Sequence, residues 1–193
     1  MNTLYGSNIN EINLHPVLKD IENIFWFFIL SNATLANPDV QKEIKKQKDP
    51  NTISMLEKFN NWTSLEVKLD HFANRYQTTM KASNQFILLG KIMAINLYEL
   101  LKASSYDLKI MEEFKFLKHI RNGAAHNNKF HFKDRNGGWT MRENKVIHWG
   151  NYAIDRNLHG KPVFNNFIGF QMIFVLAKNF SERLEEIDKQ KNK

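Results

Sequence analysis

Asp107-Leu-Lys-Ile-Met-Glu-Glu-Phe-Lys-Phe-Leu-Lys-His-Ile-Arg-Asn-Gly-Ala-Ala-His126 decides how this chain is read. Ile110, Phe114, Leu117 and Ile120 recur at intervals that lay apolar side chains along one face of a helix, and Asp107 offers a cap for its first turn. At its far end stand two chemically unlike residues, Arg121 and His126. Arginine presents a fixed fork of donors that matches phosphate oxygens, and histidine titrates near neutrality. On a straight helix five residues advance about 500°, which leaves the two side chains about 140° apart. Gly123 is therefore expected to turn left-handed, end the helix near Asn122 and bring His126 back toward Arg121. The competing reading makes Arg121 a last-turn cation that offsets the helix dipole, Gly123 an ordinary cap and His126 a plain loop residue.

Upstream the pattern is helical. Pro16 opens a helix over 16–35 in which Val17, Ile21, Ile24, Phe25 and Phe28 share a face. Asn37-Pro38 caps a short charged helix that ends by Lys48-Asp49-Pro50, and its charge run from Glu43 to Lys48 reads as a solvated face. A weak helix is expected over 53–59. Thr63 with Glu66 forms a capping box for a long helix through Leu65, Leu69, Phe72 and Tyr76 toward Met80. Phe86, Leu89, Met93, Leu97 and Leu100 mark a buried stripe over 84–102, with Gly90 a point of close packing.

Downstream the character changes. Phe130 and Phe132 alternate with His131, Asn136-Gly137-Gly138 is a turn signal, and Trp139 to Arg142 reads as the returning arm of a hairpin. Val146 to Trp149 adds a further strand. The polar stretch 130–166 is thus a loop and β-hairpin insertion beside the Arg121/His126 pair. Helical periodicity resumes at Phe164 or Phe167 and runs to about Ile187 through Phe170, Phe174 and Leu184, and the basic tail 189–193 is expected to fray.

The whole chain of 193 residues is sized for one domain, 1–193, and its net charge is +7. Between 109 and 145 stand nine basic residues and four acidic ones, so +5 of that charge surrounds the pair. A basic surface favours polyanions. The chain has no cysteine, which excludes disulfides and thiolate zinc sites and fits a reducing cytosol. The polar N-terminus does not read as a leader, and no apolar run approaches the length of a membrane span. Gly-rich phosphate loops, Gly-x-Ser-x-Gly elbows and His-Glu-x-x-His motifs are absent, so NTPase, hydrolase and zincin readings lose support. His126, His131 and His148 raise the thought of zinc, but without cysteine or a His-x3-His spacing no metal ligand is assigned.

Ile120-Arg121-Asn122-Gly123-Ala124-Ala125-His126 resembles the Arg-Asn-x-x-x-His signature of the HEPN superfamily of helical ribonucleases, including its kinase-extension nuclease branch. The resemblance is specific over about a dozen residues and topological over the helices on either side. It implies an all-α, HEPN-like helical bundle with the motif at the end of a long helix, a homodimer that brings two motifs together, and RNA cleavage without a metal or other cofactor. It also implies, by analogy with many members, a toxin or defence effector, with an antitoxin as a possible partner. Some branches use a tyrosine upstream; Tyr106 is not clearly in register, so no role is carried over to it.

RNA can be cut without metal because its 2′-hydroxyl is an internal nucleophile that needs a base, an acid and a cation. Arg121 and His126 supply these types, with Asn122 orienting the phosphate or bracing the pair. One histidine does not readily make both proton transfers, which favours a composite site at a two-fold interface. Lys118, Lys129, Lys133, Arg135 and Arg142 are candidate RNA contacts. Trp139, Trp149 and Tyr152 either stack unpaired bases or form a small hairpin core, and His119, on another helix face, reads as solvated or capping. The expectation is a cytoplasmic endoribonuclease that cleaves single-stranded RNA by 2′-OH transesterification. Its alternatives are a non-catalytic HEPN-like module binding RNA, nucleotide or protein, and a DNA-binding helical protein.

Overall fold

The computed structural model describes residues 13–46, 52–55, 65–68 and 82–191. Here the protein is mostly helical: α1 (Lys19–Ala36), α2 (Pro38–Lys46), α3 (Ala82–Ala103), α4 (Glu112–Ala125) and α5 (Phe170–Lys191). Two antiparallel ladders accompany the helices, β1 (Thr52–Met55) with β2 (Leu65–Lys68), and β3 (Ile147–Trp149) with β4 (Tyr152–Ile154). Single 3-10 turns lie at Pro16–Leu18 and Arg156–Leu158. No described helix is long and apolar enough to cross a membrane. Contacts divide the chain into two compact units, Met1–Phe25 with Phe86–Lys193, and Trp26–Gln85.

In the smaller unit Asn37 caps α2 as its sequence suggests, its Oδ1 accepting the Asp39 N–H at 2.9 Å with Pro38 in the first turn. Two helical expectations fail there. The weak helix at 53–59 gives way to β1, and the start of the helix drawn from Thr63 is β2, with Ile53 opposite Val67 and Met55 opposite Leu65. Thr52, Ile53 and Val67 are β-branched and favour extended backbone, and cross-strand pairing outweighs the capping box. The rest of both expected helices lies outside the described residues.

Among the described residues the buried apolar side chains lie in the larger unit. Leu89, Met93, Ala94, Leu97 and Leu101 form the buried stripe of α3; Phe114, Leu117, Ile120 and Ala124 form that of α4; Ile173, Ala177, Phe180 and Leu184 form that of α5. Phenylalanine rings lock these faces together. Phe114 stacks on Tyr98 of α3 at 5.2 Å and meets Phe180 of α5 edge-on at 6.5 Å, while Phe25 of α1 stacks on Phe174 at 4.1 Å. Each buried side chain of this size stabilises the fold by about 1.5–3 kcal/mol. Gly90 lets Phe164 lie against the α3 backbone, since a Cβ there meets that ring at 2.6 Å. The ends of the unit are joined by His15, whose Nε2 lies 3.2 Å from the Asp188 carboxylate that also accepts from the Tyr106 hydroxyl at 2.7 Å.

Several boundaries differ from expectation. α4 begins at Glu112 with Met111 at its cap position, not at Asp107, and Ile110 is 77% exposed rather than inward. α5 starts at Phe170, because the chain turns at Asn165 with φ 79°, and it continues to Lys191 into the stretch expected to fray.

The largest correction concerns the motif. Gly123 does not end its helix: α4 runs on to Ala125, and His126 N–H still bonds back to the Asn122 and Gly123 carbonyls. Gly123 is buried because Val163 and the Lys129 carbonyl press where a Cβ would stand. The reversal falls instead on Asn127 and Asn128, with φ 53° and 63°, residues that tolerate the left-handed region. Asn128 then clamps the turn, its amide accepting from Phe164 N–H at 2.8 Å and donating to Phe164 C=O at 3.1 Å. Beyond it the Phe130 N–H bonds to Lys161 and the Gly160 N–H to Phe130, so the chain after the motif runs beside 160–164.

The rest of 130–166 is a loop region with short pairings. Lys133 bridges Trp139 across the Asn136-Gly137-Gly138 turn, and the Thr140 N–H reaches the Phe132 carbonyl at 2.9 Å, a minimal form of the expected hairpin. The regular hairpin is β3–β4. Its Trp149 and Tyr152 stack on each other at 5.8 Å and lean on Phe116 of α4, which is fully buried.

Candidate functional site

Placing the reversal at Asn127-Asn128 decides what His126 meets. With the helix intact through Ala125, Arg121 and His126 diverge by the about 140° of a straight helix. Arg121 turns to α3: its Nη2 donates to Glu99 Oε1 at 2.6 Å and its guanidinium lies 5.4 Å from the Tyr98 ring centroid. Nη1 reaches Asn122 Oδ1 at 3.3 Å, a contact with one member of the Arg121/His126 pair, while Nε is buried without a hydrogen-bond partner among the described residues. Tyr98 and Glu99 were missed in the sequence, since nothing local ties a residue on α3 to one 22 positions later.

His126 turns to the loop. It is exposed, and its ring lies 5.4 Å from that of His131, also exposed; His131 in turn lies 5.5 Å from His159. His159 continues to Trp139 at 5.4 Å, edge to face. Four rings thus follow one another across two stretches of chain, 126–139 and the turn at His159. His159 is the fixed member: its Nδ1 accepts the Phe132 N–H at 3.1 Å, so the neutral ring carries its proton on Nε2. Desolvation, then the charges of His131 and Lys133, lower its pKa, which preserves that bond.

Trp139 is 46% exposed, with the Lys133 ammonium 5.1 Å and the Arg156 guanidinium 4.9 Å from its ring centroid. Arg156 is anchored by a hydrogen bond from its Nε to the Met141 carbonyl. The aromatic alternatives therefore divide: Trp149 is buried, its indole N–H reaching Asn179 at 3.3 Å, and with Tyr152 it belongs to the hairpin core, whereas Trp139 faces outward. Of the candidate RNA contacts, Lys129 and Lys133 lie in the His126–Trp139 segment, and Arg135 is exposed in its turn. Lys118 and Arg142 are exposed but joined to the ring series by no described contact. None of these five cations pairs with a carboxylate among the described residues, while Lys19, Lys102, Lys115, Arg121 and Arg183 do.

The other histidines fall elsewhere. His148 sits on β3 opposite Ala153 and its charge acts on Glu112, at the start of α4 and about 20 Å along the helix from His126. No group of three potential metal ligands occurs among the described residues. His119 is not solvated: it packs edge-on against Phe132 at 5.4 Å, and burial, helped by Lys118 and Lys145, pulls its pKa from 6.5 to about 4.

That shift has a measurable sign. Unfolded, the imidazole takes a proton near pH 6.5; folded, it refuses one until about pH 4, so stability falls as pH drops through that window. The expected loss is about 3 kcal/mol, most of it incurred by pH 4 and complete only below that pH. Urea unfolding from pH 7 to 4 checks this, with His119→Gln expected to flatten that part of the profile.

Comparisons with protein-family models, with curated proteins and with solved structures yield no match for this chain. Its site is therefore read from its own geometry.

Proposed function

We propose that this protein is a metal-independent endoribonuclease of HEPN-like type, acting on single-stranded RNA by attack of the 2′-hydroxyl on the adjacent phosphate. The observation that carries the reading is the exposed His126 beside His131, in one loop with unpaired Lys129 and Lys133 and the outward indole of Trp139. The imidazoles provide proton transfer, the cations draw a polyanion, and the indole offers a platform for an unpaired base. Arg121, with its planar fork, is assigned to phosphate charge, supplied by the same chain on release from Glu99 or by a second copy across a two-fold axis. A cytoplasmic toxin or defence role, restrained by a partner protein, follows only by analogy with the resembled family.

The test is direct. Purified protein in EDTA is expected to cut single-stranded RNA to 2′,3′-cyclic phosphate and 5′-hydroxyl ends. Binding of RNA without cleavage at any enzyme concentration overturns the catalytic reading. The second reading, a non-catalytic binding module, draws on one observation, that Arg121 is already engaged by Glu99 and Tyr98.

Binding makes its own prediction. Stacking of a base on an aromatic side chain is worth about 1–3 kcal/mol, so Trp139→Ala is expected to weaken single-stranded RNA binding roughly 5- to 150-fold. Lys133→Ala is expected to reduce the slope of log affinity against log salt by about 0.7, the value for one phosphate contact on a single strand. Fluorescence anisotropy across a salt series measures both.

A further inference from the structure

We propose that His131 is the second proton-transfer group of the site, so that one chain holds both the base and the acid of the cleavage step. This rests on the endoribonuclease reading and adds to it a residue outside the Arg-Asn-x-x-x-His signature. The case begins with backbone. Left-handed Asn127 and Asn128 fold the chain back immediately after His126, and the Asn128 clamp on Phe164 holds that reversal. The fold places the two rings 5.4 Å apart with 36° between their planes.

Both rings are exposed, and neither has a side-chain hydrogen bond among the described residues, so each is free to turn toward a bound phosphate. His159, next in the series, is not equivalent: its Nδ1 is committed to the Phe132 N–H, and it acts as a fixed post against which His131 lies. A transferring nitrogen must come within about 2.6–3.2 Å of its oxygen. Two rings at this separation bracket one phosphodiester.

The step balances within the pair. One neutral imidazole takes the proton of the 2′-hydroxyl as the 2′-oxygen–phosphorus bond forms. The other, as imidazolium, gives its proton to the 5′-oxygen as the phosphorus–5′-oxygen bond breaks. The products are a 2′,3′-cyclic phosphate and a 5′-hydroxyl, and the two rings have exchanged protonation states, reset by water. No metal or co-reactant enters. A second copy of the chain is then unnecessary for proton transfer.

The test compares two substrates of the same chemistry, a diribonucleotide and a ribonucleoside 3′-(p-nitrophenyl phosphate), whose p-nitrophenolate departs without being protonated. His131→Gln and His126→Ala are each expected to cut the dinucleotide 10²- to 10⁴-fold more slowly, the usual worth of a general acid or base. The activated ester is expected to restore one variant to within about threefold of the parent and leave the other slow, identifying the former as the acid. Thermal unfolding of His131→Gln is expected to match the parent. Cleavage by His131→Gln at the parent rate overturns the proposal, as does equal slowing of both variants on both substrates. If the parent protein cuts neither substrate, it is the endoribonuclease reading that fails.

Discussion

Replacing His126 by alanine is expected to slow RNA cleavage 10²- to 10⁴-fold while leaving folding within about 0.5 kcal/mol of the parent. The second half of that expectation follows from exposure, since the side chain is exposed and its described ring contact is with His131, itself exposed. Arg121 makes the sharper comparison because it has a structural partner. Its ion pair with Glu99 joins side chains 33% and 45% exposed, and such pairs contribute about 0–1 kcal/mol. A preorganised cation at a developing charge is worth about 10²–10³ in rate. Arg121→Ala is therefore expected to lose far more cleavage than its stability change explains, and Arg121→Lys, which keeps charge but not the planar fork, to fall between. Single-turnover cleavage measured beside urea unfolding separates the effects. An Arg121→Ala protein that is unstable but fully active per folded molecule makes Arg121 a brace between α3 and α4 only.

Phe116→Ala is expected to be the most destabilising of these substitutions, by about 3–5 kcal/mol. Phe116 is fully buried and touches Trp149 and Tyr152 of the hairpin and Phe167 of the turn before α5. Its removal opens a cavity where α4, the hairpin and that turn meet, and the melting temperature is expected to drop by roughly 10 °C. The β3–β4 segment should also lose amide protection more than α3 does. A loss under about 1 kcal/mol would mean that the hairpin rests on α4 only loosely.

How far these features were legible follows from range. The apolar stripes of α3 and α4 could be read in part, at Leu89, Met93 and Leu97 and at Phe114, Leu117 and Ile120, because helical spacing is a local signal, whereas Ile110 is exposed and Phe86 and Leu100 are half-buried; the Asn37-Pro38 cap could be read as well. β2 departs from the helix that Thr63 and Glu66 suggest because pairing with 52–55 outweighs that local capping pattern, and the weak helix over 53–59 gives way to β1 by the same pairing. Gly123 was misread for an instructive reason. A glycine near a helix end signals either a left-handed cap or a tight contact, and only the fold brings Val163 to its face. The left-handed turn falls on Asn127-Asn128, which directly follow His126 and belong to a residue type that tolerates that conformation. That choice changes the partner of His126 from Arg121 to His131. Glu99, Arg156 and His159 carried no sequence signal, since each reaches the site from a distant stretch of chain.

The central claim is that the protein cuts RNA through the ribose 2′-hydroxyl with its own side chains. A DNA oligonucleotide carrying one ribonucleotide, incubated with the protein in EDTA, tests it most directly. The account predicts a single cut on the 3′ side of that ribose, leaving a 2′,3′-cyclic phosphate, and no cut when the same ribose carries a 2′-methoxy group. Cleavage at deoxynucleotide positions, cleavage that survives the 2′-methoxy group, or no cleavage of the ribose-containing strand contradicts it.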